Sequence, residues 1–178
     1  MRTVQIDGTC PDIKKIKRLY DRSFPDDERI PFRHLLNTLN SERIMHAYYD
    51  EDVLVGMTFV FLKDDMVYLS YICVSDEIRN KGYGTEILKA VQHEFSAYRI
   101  VIDIEELKPE SDNYEERVRR RNFYLHNGFV SCDVFYHIYS VDYELLSWNG
   151  KVHQEEWHSI IRKHWGRFAD TAIYRKKE

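Results

Sequence analysis

The sequence predicts a single α/β domain built on a mixed β-sheet. The chain has 178 residues, the length of one ordinary domain, and no internal repeat or linker divides it. Runs rich in β-branched and aromatic residues alternate with segments whose apolar residues recur every three or four positions. In chain order these segments predict β-α-α-β-β-β-α-β-α-β-α-β, in which the last helix is short.

The first half of the chain is predicted to contain two helices and an antiparallel meander. A short strand covers residues 3–6. A helix opens at Pro11 with apolar positions through Tyr20, and a second begins at Pro31 with an apolar stripe through Leu39. Short acidic breaks separate three β-rich runs, which cover residues 44–49, 53–62 and 66–74.

The second half alternates helices with strands. Residues 84–95 have helical spacing, and residues 99–104 form a strand. The next helix starts near Asp112 and stops at Gly128, which serves as its C-terminal cap. Aromatic and β-branched residues predict one strand over residues 129–141. The chain ends with an amphipathic helix and a last strand, at residues 157–164 and 171–174.

Composition and charge narrow the class of protein. The formal net charge is −4, which disfavours nucleic acid and anionic membranes as partners. No apolar run reaches the ~20 residues that cross a bilayer, and the N-terminus lacks the apolar core of a signal peptide. Cys10, Cys73 and Cys132 are far apart, which predicts free thiols in a reducing compartment and a cytoplasmic protein. No histidine pair has the spacing of a catalytic zinc site, so no metal is expected.

The segment from Leu69 to Gly84 is the strongest functional signal. A strand leads into a turn with two glycines, and the turn leads into a helix. Free backbone N–H groups and the positive end of the helix dipole converge at such a turn, which therefore suits an anion. The dinucleotide-binding fingerprint does not fit, because Ile87 stands where its third glycine belongs. The phosphate-loop pattern of nucleotide-binding proteins is absent as well.

Two motifs resemble the GNAT N-acetyltransferase superfamily. The first has the spacing of its acyl-CoA motif: Leu69-x-x-Ile72-x-Val74-x-x-x-x-Arg79-x-x-Gly82-x-Gly84. The second, Phe123-Tyr124-Leu125-His126-Asn127-Gly128-Phe129, is similar to the family's Leu/Phe-Tyr-x-x-x-Gly-Phe. The resemblance covers the chain to about residue 129 and implies a mixed, mostly antiparallel central sheet with helices on both faces. Residues 130–178 would add C-terminal strands and an extra helix.

The resemblance also implies a co-substrate and its binding residues. Acetyl-CoA would place its pantetheine along the exposed strand edge, on the backbone of Ile72, Cys73 and Val74. Its pyrophosphate would rest on N–H groups of the turn and of the helix start. These residues are Arg79, Asn80, Lys81, Gly82, Tyr83, Gly84 and Thr85.

Acetyl transfer to an amine needs a base and an acid. An amine with pKa ~10.4 is neutral only about once in 2,500 molecules at pH 7, so a carboxylate that takes its proton helps. Asp103 and Glu105 share one face of their strand, and they are equally ranked candidates. Asp103 matches the family's glutamate slot on this strand, whereas Tyr68 occupies the place of an alternative glutamate. Tyr124 matches the tyrosine that protonates the departing thiolate.

The acceptor is predicted to be a primary amine, carried by a small cationic molecule that the acidic loop at residues 26–28 would attract. Two alternatives stay open: a protein amino group as the acceptor, or a non-catalytic module that binds acyl-CoA as a signal. The aromatic residues of the segment 130–178 could line the acceptor site or a homodimer seam. The arginine-rich run at residues 117–121 is predicted to form a solvated, salt-bridged helix face, with the CoA 3′-phosphate as a second interpretation.

Overall fold

The computed structural model describes residues 1–25, 29–78, 81–138 and 140–175. Within these ranges the chain forms eight strands and five α-helices. The strands are β1 (Arg2–Gln5), β2 (Arg43–Asp50), β3 (Val53–Lys63), β4 (Met66–Val74), β5 (Arg99–Glu105), β6 (Val130–Ile138), β7 (Val141–Trp148) and β8 (Ile173–Arg175). The helices are α1 (Ile13–Ser23), α2 (Phe32–Asn37), α3 (Tyr83–Glu94), α4 (Tyr114–His126) and α5 (Gln154–Trp165). No helix in the described ranges is both long and apolar enough to span a membrane.

The chain divides into two compact units, and the first comprises Met1–Leu62 and Leu69–Glu94. β1 pairs with β2, and β2 with β3, in antiparallel register, and β3 is followed by β4. The amphipathic helices pack apolar faces into this unit: α1 buries Ile16 and Tyr20, and α3 buries its Ile87 face. The predicted meander is therefore present.

The second unit comprises Lys63–Tyr68 and Phe95–Glu178. The first residues of β4 pair in parallel with β5, and the remaining pairs, β5 with β7, β7 with β6 and β6 with β8, are antiparallel. Helix α5 buries Trp157 completely, and it also buries Ile160 and Ile161, one turn further along. The C-terminal end of α4 is closed by Gly128, which has a φ of 85° and lies where the sequence predicts the cap.

The hydrogen-bonded strand order is β1-β2-β3-β4-β5-β7-β6-β8. The pair of β4 with β5 is parallel, whereas β1–β2, β2–β3, β5–β7, β6–β7 and β6–β8 are antiparallel, so the predicted mixed, mostly antiparallel sheet is confirmed. β4 matches its predicted range to the residue, because β-rich runs bounded by acidic turns are local signals.

The strand predicted over residues 129–141 is correct for Val130–Ile138, which is β6, but it ends too late and a further strand was not predicted. That strand, β7, begins at Val141, pairs with β6 in antiparallel register and lies between β5 and β6. The residues around the turn, Ile138 to Val141, include no glycine, proline or asparagine. Ser140 alone is of a type common in turns, which is a weak signal, and strand-forming residues continue on both sides of the reversal.

Candidate active site

The predicted acyl-CoA segment lies at the end of β4 and the start of α3, in the first unit. Ile72 and Val74 are half-buried, and Cys73 between them is buried. The Ser75 N–H donates to the Val55 carbonyl oxygen at 2.9 Å, so the chain stays attached to β3 as it leaves β4. A short 3-10 turn over Asp76–Ile78 follows. The predicted pantetheine residues are thus held in extended backbone.

The turn before α3 has the backbone conformation that the glycine pattern predicts. Gly82 has a φ of 85°, and open space surrounds the position that a Cβ would occupy. Lys81 and Gly82 are exposed, and α3 begins with Tyr83, Gly84 and Thr85, all half-buried. The first N–H groups of a helix have no intrahelical partner, so this start presents donors and the positive end of the dipole. The predicted ligands Arg79 and Asn80 lie outside the described residues.

Two contacts within the first unit hold the start of α3 against the strands. The Tyr83 hydroxyl donates to the Asp50 carboxylate at 2.5 Å. A Cβ built on Gly56 would lie 2.5 Å from the Cys73 carbonyl oxygen and would overlap the end of the Ile87 side chain. Only glycine therefore lets β3 approach the end of β4 and α3 this closely. Sequence analysis missed Gly56, because a single glycine within a strand pattern does not identify its neighbours.

Asp103 lies on β5 in the second unit, and two tyrosines hydrogen-bond to it. The Tyr68 hydroxyl donates to Oδ1 at 2.9 Å, and the Tyr136 hydroxyl donates to Oδ2 at 2.6 Å. Burial raises the pKa of the Asp103 carboxyl above its ordinary value, and the two hydrogen bonds act in the opposite direction. The residue nonetheless keeps accessible surface. A desolvated but accessible carboxylate is a stronger base than one in water.

Tyr124 lies near the C-terminal end of α4, between the rings of Phe123 and Phe129, whose centroids are 5.1 and 5.6 Å away. Burial raises the pKa of its phenol, the charge of Arg120 lowers it, and the charge of Asp103 raises it again. Two of the predicted catalytic groups, Tyr124 and Asp103, are therefore near enough to interact electrostatically.

Glu105, the other predicted base, has a different environment. Its carboxylate pairs with Arg117 at 2.7 Å and with Arg120 at 3.0 Å, and the Asn113 amide lies 3.4 Å away. Both oxygens are thus engaged by charged donors from α4.

The arginine-rich run of α4 differs from the solvated face that its sequence predicts. Besides the pairs with Glu105, Arg121 binds both oxygens of Glu144, a buried residue of β7, at 2.8 and 3.1 Å. Only the pair of Arg120 with Glu116 follows the i, i+4 pattern among the ion pairs of this helix in the described part of the chain. These arginines mainly fasten α4 to the strands beneath it.

Cys10, Cys73 and Cys132 are free thiols, as their spacing predicts. Among the described residues, no group of three histidine, cysteine or acidic side chains is arranged to hold a metal ion.

In the first unit, the start of α3 presents free N–H groups that suit a phosphate group. In the second unit, burial raises the pKa of the Asp103 carboxyl, and the charge of Asp103 raises the pKa of the Tyr124 phenol. A family model described as an acetyltransferase (GNAT) domain matches residues 40–131, just over half of the chain. The chain therefore belongs to the GNAT acetyltransferase family, and the prediction made from its two motifs is confirmed. A comparison with curated proteins finds no match.

Solved structures share the fold over most of the chain. A protein from Bacteroides thetaiotaomicron, assigned to the same family, has 21% identity and a TM-score of 0.75, covering 94% of this chain and 97% of that one. An aminoglycoside 6′-N-acetyltransferase complexed with coenzyme A has 17% identity, a TM-score of 0.64 and coverage of 83% and 96%. The ribosomal-protein-S18-alanine N-acetyltransferase from Escherichia coli has 12% identity, a TM-score of 0.63 and coverage of 86% and 97%. At these identities the likeness establishes the fold.

Proposed function

We propose that this protein is an acetyl-CoA-dependent N-acetyltransferase that transfers an acetyl group directly to a primary amine. One observation carries the proposal: in a chain of the GNAT family, two phenols hold the Asp103 carboxylate by hydrogen bonds of 2.9 and 2.6 Å, and its charge raises the pKa of Tyr124, the tyrosine of the second family motif. A module that only bound acyl-CoA would have no use for this acid–base pair. The pair therefore favours an enzyme over a non-catalytic sensor.

Acetyl-CoA is the acyl donor. The backbone of Ile72, Cys73 and Val74 hydrogen-bonds to pantetheine as an added strand would. The pyrophosphate rests on the N–H groups of residues 81–85, where the positive φ of Gly82 turns the backbone toward the helix start. Two further predicted ligands, Arg79 and Asn80, lie outside the described residues. The exposed Lys81 adds positive charge to this site.

Asp103 is the base in this mechanism. It takes a proton from the ammonium form of the acceptor, and the neutral nitrogen attacks the thioester carbonyl. A carbon–nitrogen bond forms and the carbon–sulfur bond breaks, so the electron pair of that bond leaves with the sulfur. The nitrogen loses a second proton as the amide forms, and the sulfur gains one proton to leave as the CoA thiol. Tyr124, whose raised pKa keeps its proton in place, donates a hydrogen bond to the sulfur as negative charge develops on it. Glu105 instead positions Arg117 and Arg120.

The acceptor is a small cationic amine in this proposal. The net charge of −4 favours a cationic partner in general. The neighbour crystallised with coenzyme A is an aminoglycoside acetyltransferase, and aminoglycosides are small polyamines. The acidic loop predicted to attract such a molecule lies outside the described residues. Free thiols fit a cytoplasmic enzyme.

A protein amino group is the second candidate acceptor. The observation that favours it is the similarity of fold to an enzyme described as acetylating the alanine of a ribosomal protein. An acetyl-CoA consumption screen distinguishes the two candidates, provided that it includes polyamines, aminoglycosides, amino acids and peptide N-termini.

The test of the mechanism compares four variants on the acceptor found in that screen. Tyr124→Phe should lower kcat by ~10² to 10⁴ while CoA binding persists, because the ring stays and the hydroxyl is lost. Asp103→Asn should lower the rate at neutral pH and recover part of it at high pH, where the amine loses its proton unaided.

Glu105→Gln and Tyr174→Phe serve as controls. Glu105→Gln should keep more activity than Asp103→Asn. Tyr174→Phe is the control for loss of a phenol, because the Tyr174 hydroxyl lies 3.2 Å from the His158 ring nitrogen. If both Tyr124→Phe and Asp103→Asn keep the wild-type kcat, the assigned mechanism is wrong. Binding of acetyl-CoA without turnover of any amine would favour the sensor instead.

A further inference from the structure

Each oxygen of the Asp103 carboxylate accepts a hydrogen bond from a different strand. Tyr68 comes from β4, which pairs with β5, and Tyr136 comes from β6, which is separated from β5 by β7. Tyr136 is completely buried and Tyr68 is 3% exposed. Both phenols therefore donate to the carboxylate from the protein interior.

The rings of both tyrosines are fixed by aromatic neighbours. The centroid of Trp157 lies 4.8 Å from that of Tyr68 in an edge-to-face contact and 5.8 Å from that of Tyr136. Tyr143 stacks on Tyr136 at 5.3 Å. The two hydroxyls are thus held in place before any substrate binds, and donating to the carboxylate requires little rearrangement.

We propose that Tyr68 and Tyr136 are positioning residues, which hold the Asp103 carboxylate in one orientation and set the pH range over which it is ionised. This inference rests on the proposed function, in which Asp103 is the base. The reason is electrostatic: each phenol stabilises the charged form of a carboxylate that burial destabilises. Without the phenols the group would hold its proton to higher pH and would be blocked as a base there.

The groups on neighbouring elements differ from the two phenols in how they affect the Asp103 carboxylate. On β7 the residue paired with Asp103 is Leu145, and the Trp157 ring of α5 contacts Tyr68. Glu105 is the next residue on the same face of β5, and its charge is paired with Arg117 and Arg120. On α4, the charge of Asp103 raises the pKa of the Tyr124 phenol. In the described part of the chain, the hydrogen bonds from side chains to this carboxylate come from Tyr68 and Tyr136.

The experiment measures the pH profile of kcat/KM and, separately, the carboxyl pKa of Asp103 by NMR of protein labelled with ¹³C-aspartate. The variants are Tyr68→Phe and Tyr136→Phe. Tyr174→Phe is the control, because the Tyr174 ring lies 5.8 Å from that of Tyr136 while its hydroxyl contacts His158. Loss of one donor should raise the carboxyl pKa by about one unit and shift the midpoint of the acid limb to higher pH by the same amount. At pH values below that midpoint kcat/KM should then fall about tenfold, whereas it should change little on the plateau. Tyr174→Phe should leave both unchanged.

The two readouts separate failure of this inference from failure of the proposed function. An unchanged carboxyl pKa in both variants overturns the inference, as does an equal shift in Tyr174→Phe. A raised carboxyl pKa with an unmoved acid limb shows that Asp103 is not the base, which overturns the mechanism and, with it, the catalytic role of the phenols. If Tyr136→Phe does not fold, Tyr68→Phe carries the test alone.

Discussion

Asp103 and Glu105 show how environment separates two carboxylates that sequence alone makes equivalent. They lie two residues apart on the same face of β5. Glu105 is neutralised by two arginines, whereas neutral phenols hold Asp103 in a desolvated position. A base needs a group that can take up a proton near neutral pH, and the environment of Asp103 moves its pKa in that direction. This difference supports Asp103 as the base in the proposed mechanism.

Gly82 is the residue at which the acyl-CoA site can be tested most directly. Gly82→Asp should weaken CoA binding about tenfold or more, because a side chain is strained at its φ of 85° and the added charge repels phosphate. The open space around the position means that this loss does not come from a steric clash. Calorimetric titration with CoA measures the effect.

Gly166→Asp is the matched control for this variant. Gly166 also has a positive φ, of 65°, and open space around it, but it lies at the end of α5. The same strain and charge at that position should leave CoA affinity unchanged. If Gly82→Asp binds CoA as tightly as the wild type, the pyrophosphate is not held at this turn.

At the scale of elements, the packing of β3 against β4 and α3 determines the geometry of the acyl-CoA segment. Gly56→Ala should lower the free energy of unfolding by about 1–3 kcal/mol, because its Cβ would push on the Cys73 carbonyl and on Ile87. The same displacement should raise KM for acetyl-CoA more than KM for the acceptor. Urea denaturation and steady-state kinetics measure the two effects.

Gly8→Ala provides the comparison for Gly56→Ala. No atom lies within 4 Å of a Cβ at Gly8, so this change should alter stability by less than about 0.5 kcal/mol and leave both KM values unchanged. Equal KM values for acetyl-CoA in Gly56→Ala and the wild type would mean that the strand end tolerates the shift and that Gly56 has no part in binding.

At the scale of the whole molecule, His46 should make folding sensitive to mild acid. It is buried on β2, 3.4 Å from Glu94, and burial lowers its pKa to about 4. The unfolded histidine binds a proton near pH 6.5, so stability is fully present above that pH and is lost as pH falls toward 4. Burial raises the pKa of Glu94, which partly opposes this loss.

The prediction is tested by urea denaturation between pH 7.5 and pH 4. His46→Leu should flatten the dependence of unfolding free energy on pH between about 6.5 and 4, because the group that takes up the proton is gone. His93→Gln removes an exposed histidine of α3 and should leave that slope as it is in the wild type. A slope that persists unchanged in His46→Leu would assign the acid sensitivity to other groups.

The sequence by itself determined the features that depend on contiguous residues. Hydrophobic periodicity located helices α1, α3 and α5, and β4 was predicted to the residue. The cap at Gly128 and the turn at Gly82 follow from the conformational freedom of glycine, which is a property of one position. The two family motifs are also local, which is why they identified the family.

The tertiary structure alone decided the hydrogen-bond partners of Asp103, the proposed base. Tyr68 and Tyr136 are 35 and 33 residues from Asp103 in the chain, and they reach it because strand order and register bring β4 and β6 near β5. The position of β7 between β5 and β6 likewise depends on the pairing of strands that are distant in the chain. Local periodicity sets how a segment folds, whereas the pairing of distant strands depends on the free energy of the whole core, which no single segment encodes.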